Sequence, residues 1–359
     1  MRSAVLPMLQ LARWLGPWAD PARRPAAHVR DEDLDGMRVR IYQPLRPPPA
    51  RTFLVAPGLH FACADDPRMD RFCRILTAAG HQAVVPYIPD FLALVPTERA
   101  KHDFMRAFDA LPRWMEGQGG GQGREQSRRP IVFSISFGSL LALSLAAERG
   151  AELERLVLFG GYADLRETLR FSLTGEISGG RAGPRDLLNQ PVVLMNLLEQ
   201  LEPALGAGDR ADLAAACRRY VERTWGRAEL KQGRGFAAIA EELAPAVPAS
   251  VRELFLVATG ARPGLADVAL PALARFDARA LDPSPYLPRI TCRVDLVHGV
   301  DDDVIPFEHA HALAAGLVNA TVRVHLTGLY NHTGVSRPPL GAIARETATL
   351  ARVLRLLAT

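Results

Sequence analysis

The sequence predicts an α/β protein in which a mostly parallel sheet is interrupted by a helical insertion. Short continuous apolar runs alternate with capped helical segments, as where the run 52–56 precedes a predicted helix over 66–79. Such alternation is typical of a parallel sheet covered by helices on both faces. Between 165 and 285 the periodicity is helical without a clear strand, and strand patterns return at 292–297 and 321–326.

The first predicted strands form a hairpin. Segments 28–34 and 37–42 flank the pair Asp35-Gly36, which supplies the two positive-φ positions that a tight turn requires. The other strands of the sheet are predicted at 52–56, 82–86, 130–133, 153–159, 292–297 and 321–326. The helices between and after them are predicted at 66–79, 98–115, 138–148, 307–317 and 343–357.

These elements divide the chain into three parts. The first is an N-terminal extension over 1–27, and the second is an α/β core formed by 28–164 and 286–359. The third is a helical cap insertion over 165–285. We therefore expect one discontinuous domain with an inserted subdomain, which a chain of 359 residues can accommodate.

Composition and charge argue against several function classes. Hydrophobic residues make up 48% and charged residues 23% of the chain, which is ordinary for a soluble globular enzyme. The net charge of +4 is too small for this length to predict nucleic-acid binding. No segment reaches the roughly 18 apolar residues of a spanning helix, which disfavours membrane association. Residues 1–18 resemble a signal peptide weakly; we interpret them as a surface helix or tail, with secretion or membrane contact as the minor alternative.

The cysteines predict free thiols rather than a metal site. Metal and redox motifs need closely spaced pairs, and no CxxC pair occurs among Cys63, Cys73, Cys217 and Cys292. Scattered cysteines of this kind are usually buried. Free thiols also favour a reducing compartment, and hence a cytoplasmic location.

A nucleophile is predicted at Ser136. An apolar strand runs into a helix through the pentapeptide Ser134-Ile135-Ser136-Phe137-Gly138. Such a sharp turn, a nucleophile elbow, holds its central serine in a strained conformation above the strand ends. The tight crossing requires small side chains two positions on either side. Here they are a serine, in place of the usual glycine, and a glycine.

A serine hydroxyl needs a base to take its proton and an acid to orient that base. The acidic turn Asp301-Asp302-Asp303 directly follows the predicted strand 292–297, at the sheet edge where open α/β sheets place their sites. His332 lies in the loop after the last predicted strand. These elements supply the acid and the base.

With serine, acid and histidine in this order, the chain resembles the α/β-hydrolase superfamily. The match covers about 28–164 and 286–359, and the middle fits the family's variable cap. The resemblance implies a mostly parallel sheet of about eight strands. It also implies that Ser136 is the nucleophile, that Asp302 is the acid and that His332 is the base.

The resemblance further implies an oxyanion hole. Its donors would be the backbone N–H of Phe137 and one from the turn after the strand 52–56, which we assign to Leu59. Asp164 is the competing acid, because some members of the family place the acid after the preceding strand. Asp301 and Asp303 are expected to cap or solvate their turn.

The other histidines receive structural interpretations. His298 and His325 lie in or at the ends of predicted strands, so we expect hydrogen-bonded core residues. His60 follows the oxyanion turn and could line the site, although a lone loop histidine is usually a surface group.

These features predict a serine hydrolase that cleaves a carboxylic ester without a metal or an organic cofactor. An insertion rich in Leu, Ala and Val suggests a small-molecule acyl substrate with an apolar group. The same triad could instead serve an acyltransferase, a thioesterase or an amide or C–C hydrolase. A catalytically silent α/β-hydrolase used for binding is the alternative from a different class.

Overall fold

The computed structural model describes residues 5–16, 19–46, 48–117, 129–177, 179–231, 233–328 and 343–358. The strands are β1 (His28–Leu34), β2 (Met37–Gln43), β3 (Thr52–Ala56), β4 (Gln82–Pro86), β5 (Ile131–Ile135), β6 (Arg155–Phe159), β7 (Glu176–Ile177), β8 (Arg181–Ala182), β9 (Arg293–Gly299) and β10 (Thr321–Thr327). The helices are α1 (Val5–Leu15), α2 (Pro67–Ala78), α3 (Pro89–Leu92), α4 (Arg99–Gly117), α5 (Gly138–Arg149), α6 (Leu165–Thr174), α7 (Gln190–Leu197), α8 (Ala207–Thr224), α9 (Gly235–Leu243), α10 (Ala249–Ala258), α11 (Leu265–Arg275), α12 (Glu308–Gly316) and α13 (Ile343–Ala358).

Across the described residues, eight strands form one sheet in the order β1-β2-β4-β3-β5-β6-β9-β10. The pairs β1–β2 and β2–β4 are antiparallel, and the other neighbours are parallel. The predicted hairpin is confirmed, because Asp35 has φ 51° and Gly36 has φ 79°. The predicted mostly parallel sheet is therefore confirmed too.

Both faces of the central strands β3, β4, β5 and β6 are buried, which is why these strands are largely apolar. In β3, Leu54 and Ala56 point into a cluster that also contains side chains of α4 and α5. Phe53 and Val55 point into a second cluster with side chains of α1, α2 and α13. The helices thus form two layers around the sheet.

The order of the strands creates a switch point at β3. The next strand in the chain, β4, pairs with one side of β3, and the following strand, β5, pairs with the other. Ligands of open α/β sheets bind outside the carboxyl ends of the strands at such a point. The turn 57–60 follows β3, and Ser136 follows β5, so two of the predicted site elements begin at the switch point.

The chain divides into two compact units. The first consists of Met1–Ala163, Leu281–Asp302 and Phe307–Thr359 and carries the eight-stranded sheet. The second consists of Asp164–Ala280 and Asp303–Pro306 and carries α6 to α11. Its main boundaries lie one and five residues before those of the predicted insertion 165–285. Sequence periodicity did not indicate that residues 303–306 belong with the insertion.

The second unit also contains one short ladder. Strands β7 and β8 pair antiparallel over two residues each, and the described glycines between them, Gly179 and Gly180, have φ 92° and 77°. The sequence predicts no clear strand here. Two residues are too few to show the alternation that predicts a strand.

The N-terminal segment contributes to the core of the first unit. Leu11 of α1 is fully buried in the cluster that contains side chains of α2 and α13. The segment 1–27 was predicted as an extension, because an 11-residue helix with a proline has a weak periodic signal. No helix among the described residues has both the length and the hydropathy to cross a membrane.

The predicted free thiols are confirmed. Cys63, Cys73 and Cys217 are buried and Cys292 is half-buried, and none of the four forms a disulfide. Burial raises the pKa of the Cys63 and Cys217 thiols to about 12. These side chains therefore act as small apolar residues.

Candidate active site

Ser136 has a left-handed backbone conformation, with φ 53°. Its N–H donates to the carbonyl of Phe159 at 2.8 Å, and its carbonyl accepts from the N–H of Ser139 at 2.9 Å. These bonds fasten it between the end of β6 and the first turn of α5. A positive φ costs a non-glycine residue about 1–2 kcal/mol, so the surroundings impose the conformation, as in a nucleophile elbow.

Gly138 allows the elbow to cross close to the end of β3. A Cβ at this position would lie 2.5 Å from the carbonyl oxygen of Pro57 and still closer to that of Ala56. Ser134, the other small residue of the elbow, is fully buried, and its hydroxyl has no hydrogen-bond partner within the described part of the chain. An unpaired buried hydroxyl is destabilising, and the usual glycine avoids it.

Replacing Gly138 by alanine is expected to lower the free energy of unfolding by about 3 kcal/mol, since both clashing atoms belong to the backbone and cannot rotate away. Urea unfolding followed by circular dichroism measures this change. Gly208→Ala is the matched control, because a Cβ there meets nothing within 4 Å and alanine favours a helix. Equal stability of the Gly138→Ala and wild-type proteins would contradict the close crossing.

The turn after β3 lies against the elbow. A Cβ on Gly58 would be 3.3 Å from the carbonyl oxygen of Ile135 and 3.6 Å from Cβ of Ser136. Leu59 in this turn and Phe137 in the elbow are both half-buried. The structure therefore brings the two predicted donor segments together, while the assignment of their N–H groups to an oxyanion hole stays a prediction.

Asp302 lies just after β9 and is buried. Its side chain is 2% exposed, and Oδ2 lies 3.4 Å from Nε2 of His298, whose side chain is 1% exposed. Its N–H donates to the carbonyl of Gly299 at 3.3 Å. A carboxylate is buried only where polar partners surround it. His332, the predicted base, lies outside the described residues.

The competing aspartates have different surroundings. Asp164 is exposed and caps α6, where Oδ1 accepts the N–H of Glu167 at 3.0 Å. Asp301 is exposed, as predicted for a solvated turn residue. Asp303 does not merely solvate the turn, because it forms an ion pair with Lys231. Of these aspartates, Asp302 is the buried one.

The structure thus combines a mostly parallel eight-stranded sheet, a left-handed serine after β5 and a buried aspartate after β9. The chain has the α/β-hydrolase fold. The sheet architecture that the sequence predicts, mostly parallel and eight-stranded, is confirmed.

Comparison with known proteins finds only distant similarities. No protein-family model and no curated protein matches the sequence. Among solved structures, the chain is similar to the acylaminoacyl peptidase of Pyrococcus horikoshii, at 10% identity over 94% of this chain and 41% of that chain, with a TM-score of 0.45. It is also similar to a serine hydrolase of Cycloclasticus zankles, at 13% identity over 92% of this chain and 97% of that chain, with a TM-score of 0.42. The chain spans less than half of the peptidase, and identities this low carry no information about the substrate.

In this α/β-hydrolase fold, His60 braces the turn after β3. Its Nδ1 accepts the N–H of Ala62 at 3.1 Å, and its Nε2 lies 3.2 Å from Oδ2 of Asp66, the N-cap of α2. Because Nδ1 accepts, the ring proton lies on Nε2 and faces the carboxylate. Burial lowers the pKa of His60 to about 4, so the ring is neutral at pH 7. The expectation of a surface group was therefore wrong, since the capping aspartate six residues later draws the ring inward.

The other polar residues near the predicted site have structural roles. His325 places Nε2 3.3 Å from Oδ1 of the buried Asp295, which confirms the predicted bonded core histidine. Ser139 is fully buried, and its Oγ accepts the N–H of Tyr162 at 3.3 Å. These hydrogen bonds explain why the polar side chains of His325 and Ser139 lie inside the protein.

Proposed function

We propose that this chain is a serine hydrolase that cleaves a carboxylic ester through an acyl-enzyme on Ser136. One observation carries the proposal: Ser136 has φ 53° at the switch point of the sheet. A strained residue is retained where its conformation serves function, and the elbow places this serine, which is 7% exposed, at the carboxyl ends of the strands, where open α/β sheets bind their ligands.

The reaction follows from the order of the residues. His332 takes the proton of the Ser136 hydroxyl while Oγ attacks the carbonyl carbon of the ester. The tetrahedral intermediate collapses, and the leaving alcohol takes the proton from the imidazolium. A water molecule then gives a proton to His332 and attacks the acyl-enzyme. The second tetrahedral intermediate collapses to the carboxylic acid, and Oγ of Ser136 takes the proton back from the imidazolium of His332, which restores both residues.

Backbone groups and an acid support these steps. We assign the oxyanion to the N–H groups of Phe137 and Leu59, and the loss of one such donor typically costs about 3 kcal/mol. Asp302 would orient His332 and stabilise its cation. The burial of Asp302, against the exposed capping position of Asp164, supports this choice of acid.

The substrate is proposed as a small molecule with an apolar acyl or alcohol group. The composition of the second unit, rich in Leu, Ala and Val, supports this choice. The chemistry requires neither a metal nor an organic cofactor. The free thiols support a cytoplasmic location.

Covalent labelling tests the proposal. A fluorophosphonate probe should modify the native protein, and mass spectrometry of its peptides should place the adduct on Ser136. Heat-denatured protein is the control, because an activated serine loses its reactivity with its fold. A native protein that takes no label would instead be a catalytically silent binding protein. A panel of ester, thioester and amide substrates then separates the possible acyl-transfer activities.

A further inference from the structure

The second unit contains a partly buried ion cluster. Nζ of Lys231 lies 2.9 Å from Oδ2 of Asp186 and 2.6 Å from Oδ2 of Asp303. The Asp186 side chain is 4% exposed, against 21% for Lys231 and 18% for Asp303. Low exposure strengthens such pairs relative to surface ion pairs.

Main-chain bonds tie the same residues together. The N–H of Asp186 donates to the carbonyl of Asp303 at 2.8 Å. Oδ1 of Asp186 accepts the N–H of Leu188 at 3.0 Å, and Nε1 of Trp225 donates to the Leu188 carbonyl at 2.9 Å. Asp303 is therefore held through its main chain as well as through its carboxylate.

The charges favour a permanent lysine cation. Burial alone would lower the pKa of Lys231, but the carboxylates of Asp186 and Asp303 outweigh it and raise this pKa. Without the ammonium, the two carboxylates of this site would lose the cation that both of them contact. Like charges in such a site repel each other, and one of them takes up a proton or moves away.

Asp303 directly follows Asp302, the proposed acid. The chain leaves β9 at Gly299, and Asp303–Pro306, directly after Asp302, belong to the second unit. We propose that Lys231 is a positioning residue for the acid: by anchoring Asp303, it fixes the backbone that carries the Asp302 carboxylate. This inference rests on the proposed function.

The choice of lysine supports a specific role. Of 43 basic residues other than histidine, only Lys101 and Lys231 are lysines. A compact ammonium can approach two separate carboxylates, whereas the planar guanidinium group of arginine favours a single bidentate partner. Lysine thus replaces the usual arginine at position 231, where one cation contacts both Asp186 and Asp303.

Kinetics of Lys231→Met test the inference. We expect the kcat for a p-nitrophenyl ester to fall about tenfold or more, with the KM within about twofold, because misalignment of a catalytic group acts on the chemical step. A looser acid stabilises the imidazolium less, so the pKa of the base falls. The acid limb of the kcat/KM profile should therefore move to lower pH. Lys231→Arg should recover part of the rate.

Lys101→Met is the matched control. The Lys101 side chain is 10% exposed, and its Nζ donates to the hydroxyl of Tyr286 at 2.8 Å, so its loss also removes a mostly buried ammonium. This variant should keep the wild-type kcat and pH profile. If Lys231→Met fails to fold, Asp303→Asn replaces it, because this change leaves Lys231 paired with Asp186 while it removes the anchoring charge.

The outcomes separate the two proposals. A wild-type protein that takes no fluorophosphonate label contradicts the proposed function itself. A labelled, active wild type whose folded Lys231→Met or Asp303→Asn variant keeps the kcat and the acid limb contradicts only the positioning role. A drop in kcat with a shifted acid limb, absent from Lys101→Met, supports it.

Discussion

Replacing Ser136 by alanine is expected to lower the kcat for p-nitrophenyl butyrate hydrolysis by a factor on the order of 10⁶. Without Oγ no acyl-enzyme can form, and only the oxyanion donors and substrate binding remain to accelerate attack by water. Burst kinetics and steady-state rates measure the loss. A Ser136→Ala protein that keeps more than about one hundredth of the wild-type rate would place the nucleophile elsewhere.

The same site offers a control for folding. Alanine has the Cβ of serine, so it experiences the same strain at φ 53°. Because Ser136 is buried, loss of its hydroxyl should lower the free energy of unfolding by no more than about 1 kcal/mol. Ser136→Gly should be equally inactive yet about 1 kcal/mol more stable than Ser136→Ala, because glycine adopts positive φ without the steric penalty. Urea unfolding of both variants measures the strain that the proposed nucleophile position imposes.

Local chemistry explains why much of the fold is predictable from the sequence. Asp35-Gly36 determines the hairpin, because few residue pairs accept two successive positive φ values. The continuous apolar run of β3 reflects burial on both sides of the sheet. The elbow is recognisable because Ser136 and Gly138 satisfy steric demands that act within a few residues.

The parts of the site that escaped prediction depend on contacts between distant segments. Lys231 and Asp303 are separated by 72 positions, and no periodic pattern connects them. The only signal was that Lys231 is one of two lysines in an arginine-rich chain. The contact between His60 and the N-cap Asp66 also escaped prediction, although the two residues are only six positions apart. Even there, the inward direction of the ring depends on how the turn after β3 meets α2.

The choice of acid can be tested by a pair of identical substitutions. Asp302→Asn is expected to lower kcat by about 10⁴, because an amide is isosteric with the carboxylate but cannot stabilise the imidazolium and favours the wrong tautomer of the base. The side chain is 2% exposed, so water cannot easily replace the lost charge. Steady-state kinetics over a pH series measure both the loss and the accompanying fall in the pKa of the base.

Asp164→Asn makes the same chemical change at the competing position and should keep kcat within about twofold of wild type. Asparagine caps helices as well as aspartate does. Its Oδ1 can accept the N–H of Glu167 as the Asp164 carboxylate does. If Asp164→Asn lost about 10⁴ while Asp302→Asn stayed active, the acid would be Asp164 and the positioning role of Lys231 would fall with it. Because Asp302 is buried and Asp164 caps a helix, we expect Asp302→Asn to lose the activity and Asp164→Asn to keep it.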